Sequence, residues 1–252
     1  MKAVRIHASG NAKELKLEEV QPPKVLADDE LLVRIRDAGV NSFDLTPATV
    51  PHTAGRDFAG QVMEIGEAVK DFAIGDRVFG FADGSYTEFA AIPVRMLAHM
   101  PKSTDFDEAA ALPTPALTAY QIVMHEVMAE AGDRLFVRGA RTVTGGFVVQ
   151  LARWKGAQVL EHPGDEMDAI IDVVGGSVDG LPEMVRKGGI LVSNCAMRPN
   201  GAQLAVVARL VDAGVLQPRL GRVLPLADAG LALELLHTQG ARGKIVLSVS
   251  HP

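Results

Sequence analysis

Short runs in which apolar and polar side chains alternate, broken by Gly, Pro and Asp, fill the first 115 residues. They predict strands over 31–35, 59–65, 77–80 and 86–92, after a strand-like start at Lys2-Ala-Val-Arg-Ile6. This reads as a compact β-barrel-like domain. Asp105 or Asp107 then stands where it can cap a helix running through Ala111, and 117–131 reads as a long helix leading into a second domain. There the pattern changes to a strand over 134–138, a helix over 145–155, a strand over 169–174, a helix over 178–186 and a strand over 189–193. Alternation of that kind predicts a parallel sheet with right-handed crossovers. A further helix is expected over 203–213.

Composition narrows the class. Of 252 residues, 48% are hydrophobic and only 5% aromatic, enough aliphatic side chain for a sizeable core. The net charge of −6 is spread without a basic stripe, which argues against nucleic acid as a partner. No apolar run approaches the roughly 20 residues that span a bilayer. The start carries no basic and apolar leader, and Cys195 is the single cysteine. A cytoplasmic location is therefore expected.

The segment Val137-Arg-Gly-Ala-Arg-Thr-Val-Thr-Gly-Gly-Phe147 lies between a strand and a helix, where a dinucleotide-binding turn places its glycines. Gly139, Gly145 and Gly146 remain, while Arg141, Thr142, Val143 and Thr144 fill the space between them. Val143 is β-branched and stiff where backbone should approach a phosphate. Arg138 and Arg141 could grip a phosphate, and Arg141 could equally plug a vacated groove, the reading preferred here.

Six segments, in order, carry a resemblance: Ala38-Gly-Val-Asn-Ser-Phe-Asp44, Gly55-Arg-Asp-Phe-Ala-Gly60, Gly75-Asp-Arg-Val-Phe-Gly80, Glu108-Ala-Ala-Ala-Leu-Pro113, Leu117-Thr-Ala-Tyr120 and Ala241-Arg-Gly-Lys-Ile-Val246. They resemble the medium-chain dehydrogenase/reductase superfamily, in its zinc-free quinone oxidoreductase and enoyl reductase-like branch. The resemblance implies an α/β fold: a GroES-like β-barrel catalytic domain over 1–116, a reduced Rossmann-type parallel sheet domain over 117–216, and a return segment over 217–252. Members of that branch are longer by roughly 60 to 80 residues, beyond ordinary loop variation. The shortfall falls after Lys155, where Gly156 to Asp168 leads straight into the next strand. Two further strands and their helices, the half that cradles adenosine, do not fit in that interval. The helix is thus expected to deliver the chain to the bottom of the sheet, from which it climbs directly back. Asp165, 20 residues after Gly145, has the spacing of a ribose-binding carboxylate. Its His162-Pro-Gly-Asp setting favours a solvated turn. Further gaps lie after Asn194-Cys-Ala-Met-Arg-Pro199, a region that relatives use for subunit pairing, and between Asp44 and Gly55.

Zinc is disfavoured, because Asn41 and Arg56-Asp57 stand where zinc-dependent members place cysteine and a His-Glu pair. By resemblance, Asn41 lies near a substrate carbonyl, with Asp44 three residues on. An amide donor and a partly buried carboxyl suit carbonyl polarisation and proton transfer, although both residues also favour turns. His52 is the third catalytic candidate. Thr118, Tyr86 and Asn194 are substrate-binding candidates; Thr118 could simply bond to a preceding carbonyl, and Tyr86 and Tyr120 could simply be core. Cys195 reads as an inert thiol. Gly139, Arg141, Gly145 and Gly146 are treated as a degenerate cofactor remnant. The leading expectation is a cofactor-free isomerase or cyclase of an apolar, unsaturated carbonyl compound. An NADPH-dependent quinone or enone reductase is the alternative, and a non-catalytic binding protein the third reading. The expected partner is a small-molecule substrate, with no metal; a homodimer is one of the oligomeric states the sequence leaves open.

Overall fold

A computed structural model describes residues 1–23, 26–47, 49–193, 195–238 and 243–249. The chain divides into two units, Met1–Pro113 with Pro199–Asp212 and Pro218–Pro252, and Thr114–Arg198 with Ala213–Gln217.

The first unit begins with β1 (Lys2–Ile6), β2 (Leu15–Glu19), β3 (Glu30–Gly39), β4 (His52–Thr53) and β5 (Asp57–Ile65). It continues through β6 (Arg77–Phe81), β7 (Phe89–Pro93), β8 (Leu97–His99) and α1 (Phe106–Ala110). Period-two patterning is visible in β3, whose side chains alternate between half-buried and buried positions before the strand becomes wholly buried at its end. β3 extends beyond the predicted 31–35 because its second half pairs with β5 on one side and with the chain's final strand on the other. Tyr86 falls just outside β7, in an irregular stretch anchored to β1 by the Val4 N–H donating to the Tyr86 carbonyl at 2.8 Å. Asp105 caps α1 in a capping box with Glu108, and Asp107 lies within the helix.

In the second unit α2 (Pro113–Gln121) passes into a π-helical turn, Ile122–Glu126. This helical run begins before the expected 117 and stops short of 131, where Met128 adopts φ 51°. Then follow β9 (Arg134–Arg138), α3 (Val143–Trp154), β10 (Gln158–Leu160), β11 (Met167–Asp172) and β12 (Val185–Ser193). All pair in parallel in the order β10-β9-β11-β12. β9 therefore neighbours β11 in a reduced Rossmann-type sheet, but the chain does not climb straight back after α3. It first adds β10 on the far side of β9, then crosses to β11 through residues 161–166. Arg134 holds this crossing, donating to the carbonyls of Asp165 at 3.2 Å and Glu166 at 3.4 Å. The expected helix over 178–186 is absent: Gly180 sits at φ 78°, Pro182 starts a three-residue 3-10 turn, and β12 begins at Val185.

The chain returns to the first unit with α4 (Gly201–Asp212), which was expected in the second domain but packs on β8. It ends in β13 (Leu220–Pro225), α5 (Ala229–Thr238) and β14 (Lys244–Ser248). The main sheet of the first unit has the order β13-β14-β3-β5-β6-β8, with β7 also on β3. One core gathers Val4, Val40, Tyr86, Leu233 and Leu247, and another gathers Leu31, Ile35, Phe58 and Ile92. The first core lies beneath the polar cluster described next. Burying each such side chain contributes about 1.5–3 kcal/mol, so the cluster rests on a rigid floor.

Candidate active site

Asn41 follows the buried end of β3 and opens a 3-10 turn, Ser42–Leu45. The turn brings Asp44 back on Asn41: the Asp44 N–H donates to the Asn41 carbonyl at 3.1 Å, and the Asn41 N–H donates to Asp44 Oδ2 at 2.8 Å. The Tyr86 hydroxyl donates to the same Oδ2 at 2.7 Å. Burial pushes the Asp44 carboxyl up to about 7, outweighing the two donors that favour its charged form. Burial and the neighbouring carboxylate likewise raise the Tyr86 phenol, which stays protonated. Tyr86 is fully enclosed, so its observed role is to hold Asp44. Gly55 permits this enclosure: it adopts φ 90°, and a Cβ there would collide with the Tyr86 ring.

Lys244, at the start of β14, escaped the sequence reading. Its buried ammonium donates to Asn41 Oδ1 at 2.5 Å and lies 3.2 Å from Asp57 Oδ2. With Oδ1 facing the cation, the Asn41 amide has its orientation fixed, and Nδ2 is left as a buried donor without a partner. Asp44 Oδ1 is also buried without a partner. The Ala241-Arg-Gly-Lys-Ile-Val246 segment was the only signal for Lys244, and it named no role. Asn41 lies 203 positions away, beyond any local pattern.

A cavity of about 520 Å³ adjoins this cluster, lined by Phe43, Asp44, His52, Gly55, Arg56 and Met96 among others. His52 lies on its wall with Nε2 at 3.1 Å from Asp83 Oδ1. The Arg56 guanidinium stands 5.9 Å from the Phe43 ring centroid and 6.0 Å from that of Phe81. Asn41, Asp44, His52 and Tyr86 thus gather in the first unit. Thr118 belongs to the second, where its hydroxyl donates to the Thr114 carbonyl at 2.7 Å. Asn194 lies outside the described residues. Cys195 is half-buried, and burial raises its thiol. Among the described residues, no three His, Cys, Asp or Glu side chains converge as a metal site would need.

Two positions of the turn in the second unit still require glycine. Gly139 adopts φ 91°, where a Cβ would meet Val174 Cγ2 at 2.6 Å, and a Cβ on Gly145 would collide with the Gly139 carbonyl oxygen. Thr142 caps α3, accepting from the Gly145 N–H at 3.1 Å and donating to the Gly139 carbonyl at 2.8 Å. Arg138 is committed to Asp172 at 2.9 Å and to the carbonyls of Gly175 and Ser177. Arg141 is exposed, against the expectation that it plugs a groove.

The barrel-like unit with this site, joined in sequence to a reduced nucleotide-type sheet, defines a two-domain reductase fold. Residues 27–102 match the family described as alcohol dehydrogenase GroES-like domain, and residues 150–247 match that described as zinc-binding dehydrogenase. The rat (Rattus norvegicus) quinone oxidoreductase is 33% identical over 66% of this chain and 54% of its own length. This chain therefore spans about half the length of such curated relatives. The Arabidopsis thaliana NADPH-dependent alkenal/one oxidoreductase is 27% identical over 98% of this chain and 79% of its own. The solved structure of the Coxiella burnetii quinone oxidoreductase superposes with a TM-score of 0.90 at 25% identity, covering 99% of each chain. The chain belongs to the medium-chain dehydrogenase/reductase superfamily, on its quinone oxidoreductase-like branch.

These relatives overturn the leading expectation of a cofactor-free isomerase or cyclase. They are named as oxidoreductases, and the Arabidopsis protein as NADPH-dependent. The expectation that the cofactor is absent falls with it. Its physical basis was the filled glycine turn together with the missing adenosine half; Gly139 and Gly145 nevertheless stand where a Cβ would clash, β10 pairs with β9, and Arg141 is exposed.

Proposed function

We propose that this protein is an NADPH-dependent reductase of small quinones or enones. The observation that carries this reading is a carboxyl tuned to about 7 on the wall of a cavity, beside an asparagine whose amide orientation is locked. A group titrating near neutral pH is suited to proton transfer in either direction. The turn fits a dinucleotide's pyrophosphate in its retained glycines, and the backbone N–H groups of Val143 and Thr144 with the exposed Arg141 side chain are the groups that would hold it. Bound reduced nicotinamide supplies a hydride. The chain's own residues supply the rest. Asn41 Nδ2, kept as donor by Lys244, polarises the substrate carbonyl as charge develops on its oxygen. Asp44 delivers the balancing proton from Oδ1, while Tyr86 and the Asn41 N–H hold Oδ2. Phe43 and Met96 give the cavity apolar walls for the carbon skeleton.

Steady-state turnover of a quinone and enone series, followed by loss of the reduced nicotinamide absorbance, tests this reading. NADPH consumption matched by reduced product is expected. Asn41→Ala should lower turnover by about 10²-fold with the fold intact, the usual effect of losing one such donor. Unimpaired turnover in both Asn41→Ala and Asp44→Asn would remove these residues from the mechanism.

A further inference from the structure

Arg56 is half-buried on the wall of the cavity, between β4 and the body of β5. Its guanidinium lies near the faces of Phe43 and Phe81, a setting that favours a cation without neutralising it. Among the described residues it has no hydrogen bond or ion pair through its side chain. Buried Lys244 and the Arg138 guanidinium contrast with it, since each is matched to a carboxylate. The carboxylates that share the cavity wall leave Arg56 unmatched. Asp83 is engaged with His52 and its side chain is 96% exposed. Asp44 is enclosed with Tyr86 and the Asn41 N–H.

We propose that Arg56 makes this cavity select substrates that carry a carboxylate close to the unsaturated carbonyl. This rests on the reductase reading for the reaction, but the binding itself needs only the first unit. The planar guanidinium fork matches a carboxylate with two parallel hydrogen bonds, and its position on the wall holds the acid end while the unsaturated end reaches Asp44. Neutral enones of the same shape would fill the cavity without using its unmatched charge.

Calorimetric titration of the whole protein with levulinate and with its methyl ester tests the inference without any nicotinamide. The saturated keto acid cannot be reduced as an enone, so binding is read separately from turnover. Levulinate should bind at least about tenfold more tightly than the ester, a difference typical of one charge-assisted contact. In Arg56→Gln the two should bind alike, and Arg56→Lys should keep part of the preference because it retains the charge but not the fork. Equal binding of acid and ester by the native protein would overturn the inference, as would an undiminished preference in Arg56→Gln. Turnover of acetylacrylate against its methyl ester adds the kinetic side: the acid should show the lower KM, and only in proteins that keep Arg56. If acid-selective binding is found without turnover of either compound, the reductase reading fails and the anion site stands.

Discussion

Asp44 is the residue on which the proposed chemistry and the stability of the cluster meet. Its carboxyl titrates at about 7 in the fold against an ordinary 3.8. Below the lower value both folded and unfolded chains hold the proton. Between the two the unfolded chain ionises first, so the folded state binds more protons and stability falls as pH rises, by up to about 1.4 kcal/mol per unit. Above the upper value the loss is complete. Urea midpoints measured across this range should show that slope in the native protein and a flatter one in Asp44→Asn; equal slopes would mean that Asp44 is not the buried acid. Lys244 gives a second test. Lys244→Met leaves the Asp57 carboxylate buried beside an apolar chain and should cost about 3–5 kcal/mol, read as a lower urea midpoint. Asn41 and Asp44 were singled out through the resemblance of the Ala38–Asp44 segment, and the fold places them together in one turn. Lys244 was not legible, because its partners are 187 and 203 positions away and only the folded sheet brings β14 beside β3.

Elements were readable where pattern and length agreed. β9 coincides with the predicted 134–138, and of the two cap candidates, Asp105 and Asp107, Asp105 stands at the start of α1. β10 was missed because three residues are too few to show a period. The expected helix over 178–186 failed because Gly180 and Pro182 break it. α3 depends on its own cap. Thr142→Ala removes the acceptor for the Gly145 N–H and should cost about 1 kcal/mol, detectable as a lower melting temperature. An unchanged melting temperature would mean that the cap contributes nothing, and that Thr142 stands in the turn for another reason.

At the scale of the whole molecule, the family was legible from six ordered segments while the activity was misread. Thr142 and Val143 replace residues that a dinucleotide turn commonly keeps small, and the missing adenosine-side elements suggested that the turn had lost its purpose. The folded chain shows why that inference was too strong. The steric requirements of the turn rest on Gly139 and Gly145, both retained, and the strand next to β9 on the adenosine side persists as β10. The central claim is therefore hydride transfer to the substrate. The most direct measurement is to incubate the protein with NADPH deuterated at its transferable position and an enone, and to weigh the product by mass spectrometry. The reductase account predicts a saturated product carrying one deuterium, with matching loss of NADPH. A product of unchanged mass, formed equally well without NADPH, would contradict it.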